Sequence, residues 1–271
     1  MVVSKHLKLK NPYILGYDID YFFRSCHDHD FYEILFVIRG NAVHCVNDGV
    51  QILKAGDVVF IRPEDKHFLS PYGRASDKYE FFNLHVSENH MKKQLSYSKE
   101  LQNVIDTPKL SLIVNLKTND VAYLTQKLKK LNSMILGEER TYLYYSILKD
   151  LLWHAIAYDK SGEKVRMPEW VENYIMEISK PDVFVRGYTE ISARANVSDS
   201  YLWKVFKKYF DMTPTEYINS LRLEYAYENI LSGRYSLGAV AAMSGFNSYS
   251  YFYRKFVDKY GISPRKIIEK K

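Results

Sequence analysis

Residues 236–256 read "SLGAVAAMSGFNSYSYFYRKF". Small side chains crowd its first half, and five rings fall between Tyr249 and Phe256, with Arg254 and Lys255 set among them. A core helix would account for the rings alone. The order of the whole block has another cause, because the block is repeated. "SYLWKVFKKYFDMTPTEYI" starts at Ser200 and "SYFYRKFVDKYGISPRKII" starts at Ser250. Tyr201 then matches Tyr251, Lys204 matches Arg254, Phe206 matches Phe256 and Pro214 matches Pro264. Upstream, "EISARANVS" parallels "AVAAMSGFN".

Each copy has the grammar of a helix-turn-helix. A small residue, Ser192 or Ala241, stands where the second helix crosses the first. Four residues later the turn needs a positive φ, which Asn196 and Gly245 tolerate best. Ser198 and Ser248 are placed to cap the next helix. Phe252 and Phe256 lie four apart and face inward, which leaves Tyr249, Ser250, Tyr253 and Arg254 on the other face. The matching exposed set in the first copy is Ser200, Trp203 and Lys204, with Lys207 and Lys208 as phosphate contacts or solvated charge. Rings beside cations suit a DNA groove. Between the copies, Thr213, Pro214 and Glu216 open a helix that Gly233 closes. Some 18 residues at about 1.5 Å each span roughly 27 Å, close to the ~34 Å of one DNA turn. Two units on one rigid helix therefore suit successive major-groove segments.

The stretch from about Pro168 to Ile268 resembles the DNA-binding domain of AraC/XylS-type transcription regulators. That resemblance maps recognition onto Ser200, Trp203 and Lys204, and onto Tyr249, Ser250, Tyr253 and Arg254. The first unit departs from the family pattern at Asn196, where glycine is usual, and at Ser192, where alanine is usual. It also has a bulky Trp203.

Working outward, the first half reads as β-structure. "FYEILFVIRG" is a strand, and "AVHCV" and "VQIL" form a hairpin in which Asn47, Asp48 and Gly49 supply the left-handed turn. "KAGDVVFIRP" and "KYEFFNLHV" are further strands. Three- and four-residue spacing after about Ser87 predicts amphipathic helices, for packing or for a dimer seam. The polar run "YDKSGEKVRMP" predicts a linker. The expected fold is two-domain α+β: a cupin-like barrel over 1–87, a helical segment over 88–160, a linker over 161–167 and an all-α domain over 168–271.

"HDHDFYEILFVIRG" places His27, His29 and Glu33 at even offsets, which on one strand point to one side. His67 follows later. Asn83 and His85 share a face of a late strand. His27, His29, Glu33, His67, Asn83 and His85 are the expected effector-binding set. Phe31, Tyr32, Phe60 and Phe82 are candidate platforms for a sugar ring, and Arg24, Arg39 and Arg62 are candidates for a phosphate. The first four of that set resemble the metal-binding pattern of cupin barrels. No cofactor is required, but the ligands suit Zn²⁺, Ni²⁺, Mn²⁺ or Fe²⁺. The N-terminal block is similar to regulators of chitobiose and related sugar-utilisation operons, which implies a saccharide or sugar-phosphate effector.

Composition agrees with this outline. The net charge is +6, and from Arg166 onward sixteen Lys and Arg face twelve acids. That tilt suits a polyanion. Only Cys26 and Cys45 occur, without a leader pattern or a membrane-spanning run, so a reducing cytoplasm and no membrane partner are expected. No Ser-His-Asp, phosphate-loop or nucleotide motif appears, so the chain is not read as an enzyme. The reading is a DNA-binding regulator, activator or repressor, acting as a homodimer on double-stranded DNA, with RNA polymerase as a further partner. The alternative is a metal-dependent cupin enzyme fused to a DNA-binding domain.

Overall fold

The computed structural model describes residues 5–7, 13–19, 26–73, 79–106, 108, 110–135, 137–157 and 167–269. Strands β1 Lys5–Leu7, β2 Tyr13–Ile19, β3 His27–His29, β4 Phe31–Arg39, β5 Asn41–Val46, β6 Gly49–Lys54, β7 Asp57–Ile61, β8 His67–Pro71, β9 Glu80–Ser87 and β10 Leu112–Asn115 form two five-stranded sheets. The orders are β1-β3-β8-β5-β6 and β10-β7-β4-β9-β2. Pairing is antiparallel except between β1 and β3.

β4 is buried from Phe31 to Val37, so both of its faces are covered, and its sequence is a near-continuous apolar run for that reason. Leu35 and Val37 meet Leu53, Leu69 and Ala42 of the facing sheet. Tyr32, Ile34 and Phe36 face the other way, into helices α1 Glu88–Leu95, α2 Lys99–Asp106, α3 Thr118–Ser133 and α4 Glu138–Ile156.

Several sequence expectations need correction. β10 lies inside the stretch read as helical and pairs with β7, completing the barrel sheet. Its four residues are too few to show a period. β1 and β2 are further strands beyond those the sequence pattern predicts. In the hairpin turn, Asn47 alone of the three takes positive φ, at 52°. At Gly49 a Cβ would sit 2.6 Å from Leu110 Cδ2, so that side chain would have to shift to admit one. The linker falls outside the described residues except for Met167, which is buried in a core.

The C-terminal half holds α5 Glu169–Ile178, α6 Pro181–Phe184, α7 Tyr188–Ala193, α8 Asp199–Phe210, α9 Pro214–Ser232, α10 Leu237–Met243, α11 Tyr249–Tyr260 and α12 Pro264–Glu269. Ser198 and Ser248 accept the backbone N–H of Tyr201 and Tyr251, and Thr213 with Glu216 forms a full capping box. α9 serves two cores. Tyr217, Ile218 and Leu221 belong to the first, and Leu223, Ala226 and Ile230 to the second, with Phe252 and Phe256.

The first of these cores extends into the barrel. Val43, Cys45, Val50 and Phe68, on the outer face of the first sheet, pack in one cluster with Val171, Tyr174, Ile175 and Tyr217. The barrel is thus sandwiched: α1–α4 cover one sheet, and the helix-turn-helix half covers the other.

Candidate functional site: a polar barrel end and an exposed helix-turn-helix surface

The six predicted barrel residues split into a cluster and an outlier. His27, His29, Glu33 and His67 are buried together, whereas Asn83 lies farther along β9. His27, His29 and Glu33 come together, but not by sharing a strand. The strand breaks at Asp30, so His27 and His29 belong to one sheet and Glu33 to the other. The side chains converge because both inner faces look into one interior. His27 is in register with His67, and Glu33 with His85.

Glu33 is the hub. Its Oε2 lies 3.2 Å from His29 Nε2 and 3.3 Å from His67 Nε2, and its Oε1 lies 3.9 Å from His85 Nε2. Burial alone would raise the Glu33 pKa, but the His29 and His67 rings that face its carboxylate, with His85 nearby, hold it well below the usual carboxylate range. His67 is raised: burial opposes its charge, and the Glu33 carboxylate overcomes that. His85 is lowered by burial, yet its side chain is 23% exposed and is the open side of the cluster. Phe31 stacks on His29 at 4.2 Å between ring centroids and touches His85 at 4.7 Å, so it is the one predicted platform at the site. Tyr32, Phe60 and Phe82 point into the helices instead.

Sequence reading missed His44. It is fully buried, its ring lies 5.7 Å from His67, and burial pushes its pKa down to about 3. Its signal was present as a single polar residue inside an apolar strand, but placing it beside His67 required the β5–β8 register. His44 Nε2 and Asn83 Oδ1 are buried without a hydrogen-bond partner among the described residues. Such orphaned polar atoms are scarce in folded interiors.

Neither phosphate candidate among the described residues reaches the site. Arg62 is spent on Asp65 and on the carbonyls of Asp106 and Pro108. Arg39 is exposed, and Arg24 lies outside the described residues.

On the other half, Ser200, Trp203, Lys204, Tyr249, Ser250, Tyr253 and Arg254 are exposed, and Lys207 is partly so. Trp203 is 48% exposed, Tyr249 44% and Tyr253 43%, a high value for rings of this size. Lys207 Nζ sits over the Trp203 ring at 5.7 Å, and the Arg254 guanidinium over Tyr251 at 5.5 Å. Tyr251 in turn accepts a hydrogen bond from Asn219 of α9 at 3.1 Å. The second exposed face is therefore braced from α9. No helix among the described residues is long and apolar enough to cross a membrane.

Residues 12–112 match the model of an AraC-like ligand binding domain, and residues 191–270 match that of a helix-turn-helix domain. The HTH-type transcriptional activator RhaS of Mannheimia succiniciproducens is 27% identical over 249 residues, covering 89% of this chain and 88% of that protein. The HTH-type transcriptional activator RhaR of Pectobacterium atrosepticum is 24% identical over 251 residues, covering 88% and 84%. A crystal structure of ToxT from Vibrio cholerae aligns with 95% of this chain and 97% of its own at 16% identity and a TM-score of 0.37.

Proposed function

We propose, because the chain belongs to the AraC family of DNA-binding transcription regulators, that its grip on operator DNA is set by a small saccharide bound at the His/Glu end of the barrel. Imidazole rings around an ionised carboxylate, with Phe31 as an apolar face, suit hydroxyl groups, which both donate and accept. The Glu33 charge disfavours a sugar phosphate, since no described arginine is directed at it. As a homodimer the protein would present four helix-turn-helix units. Contact with RNA polymerase follows if it activates, as its named relatives do.

The observation that carries this reading is strand β8. One of its residues, His67, faces the polar cluster. Its outward neighbours face the DNA-binding half: Phe68 joins the shared core, and Ser70 Oγ lies 3.0 Å from Tyr217 Oη of α9 in a buried pair. Just beyond, Gly73 N–H donates to the Phe210 carbonyl at the end of α8 at 3.0 Å. A ligand that shifts His67 therefore pulls on the helix that spaces the two DNA-reading units. Close-packed interiors transmit such shifts instead of absorbing them.

The test is operator binding with and without saccharide, in native protein and in Tyr217→Phe. Loss of the buried hydroxyl pair should cost about 1 kcal/mol of stability. It should also shrink the saccharide effect on DNA affinity by roughly fivefold while leaving saccharide binding intact. An unchanged effect would remove β8 from the pathway. Arg254→Ala tests the DNA-facing surface: we expect a loss of about 1–3 kcal/mol concentrated at one base position. Equal weakening on all sequences would demote Arg254 to a phosphate contact.

A further inference from the structure

His29 Nδ1 lies 2.7 Å from the Phe31 carbonyl oxygen, and His67 Nδ1 lies 3.1 Å from that of Asp65. A carbonyl oxygen only accepts, so in both rings Nδ1 carries the proton. A neutral imidazole so arranged has a bare lone pair at Nε2. Both of these Nε2 atoms are directed at the same oxygen, Glu33 Oε2, at 3.2 and 3.3 Å. Three acceptors thus converge in a buried space, an arrangement that holds only if a positive charge lies among them. That charge is either an imidazole proton or a metal ion.

The geometry favours the ion. Ligand atoms of His27, Glu33 and His67 all lie within 4.8 Å of one another. Two ligands at about 2.0–2.1 Å from a tetrahedral Zn²⁺ are roughly 3.3 Å apart, which is the spacing of the Nε2 atoms from Oε2. The backbone carbonyls on the far side of the His29 and His67 rings hold each ring in orientation, as the outer partners of metal-bound histidines do.

We propose that His27, Glu33 and His67, with His29 as the fourth donor, hold one divalent first-row transition ion. Its imidazole-rich set selects against Mg²⁺ and Ca²⁺, which prefer all-oxygen ligands. The inference rests on the regulator reading and deepens it: the ion gives the saccharide hydroxyls a fixed point to bind, next to the exposed edge of His85.

The experiment uses the full chain stripped with a chelator and dialysed. Co²⁺ is titrated in while its visible ligand-field bands are followed, and Zn²⁺ is then added as competitor. We expect one Co²⁺ per chain in a tetrahedral environment, displaced by Zn²⁺. The thermal midpoint should rise by roughly 5–10 °C at about 100 times the dissociation constant. Glu33→Gln and His67→Asn should each weaken uptake by more than the roughly 10–100-fold that outer partners are worth. If native protein binds no more Co²⁺ than Glu33→Gln does, and Zn²⁺ leaves its midpoint in place, an imidazole proton fills the site and the metal proposal is wrong. Saccharide binding to the same metal-free chain is measured separately. A shift there with no metal uptake keeps the regulator reading and overturns only the ion.

Discussion

Gly245→Ala is expected to disable the second helix-turn-helix unit and with it operator binding. Gly245 has φ +81°, and a Cβ there would meet the Val185 backbone at 2.5 Å from its O and 2.7 Å from its Cα. Alanine in the left-handed region costs about 1–2 kcal/mol. Forcing a methyl into fixed backbone adds about 1–3 kcal/mol. The sum, roughly 2–5 kcal/mol, is large for a small helical unit. Val185 cannot retreat freely. Its neighbours Phe184 and Arg186 offer their carbonyls to Arg222 of α9, the first at 2.8 Å and the second at 2.5 Å. The turn of the second unit is thus seated on a segment tied to the spacer helix. Asn196, the first-unit counterpart with φ 51°, is the control. Asn196→Gly removes a left-handed side chain and should be neutral or slightly stabilising. Chemical denaturation followed by DNA titration checks both. Wild-type operator affinity in Gly245→Ala would refute the seating argument.

Glu33→Ala is expected to unfold the barrel more readily than any other single change at the polar end. It leaves His29 and His67 buried without the carboxylate that both Nε2 atoms face. Breaking a buried charged pair by removing one partner costs about 3–5 kcal/mol. Glu33→Gln keeps the volume and one acceptor, so its cost should be clearly smaller. Melts in chelator, where no ion contributes, make the comparison clean. Near-equal stability of Glu33→Ala and native protein would mean that the cluster is not held by Glu33. The expected loss should extend to the DNA-binding half, because Phe68 and Val43 of the facing sheet, which carries His67, sit in its core.

The helix-turn-helix half was legible residue by residue. Its determinants are local: a capping hydroxyl, a small residue at a crossing, a left-handed turn, and rings four apart. Ser198, Ser248, Ala241, Gly245 and Phe256 all occupy the places that sequence spacing assigned them. The barrel was legible only in outline. "FYEILFVI" declared a strand, but nothing in it declared that Tyr32 and Phe31 face different layers with different purposes. His44 and β10 were illegible because each acquires its place from a partner strand far away in the chain.

The secondary elements of the DNA-reading half, its repeat, its exposed Tyr249, Tyr253 and Arg254, and the residue types of the polar cluster all follow from the order of the amino acids. Local hydrogen bonding and steric rules act over a few residues, so a few residues suffice to read them. The rest is set in three dimensions: β3 and β4 part at Asp30 into facing sheets, the Nε2 atoms of His29 and His67 face one carboxylate oxygen, and β8 lies between that cluster and α9. Those facts depend on register and on packing between segments as distant as Ser70 and Tyr217, where the energy resides in buried contacts that no local pattern encodes.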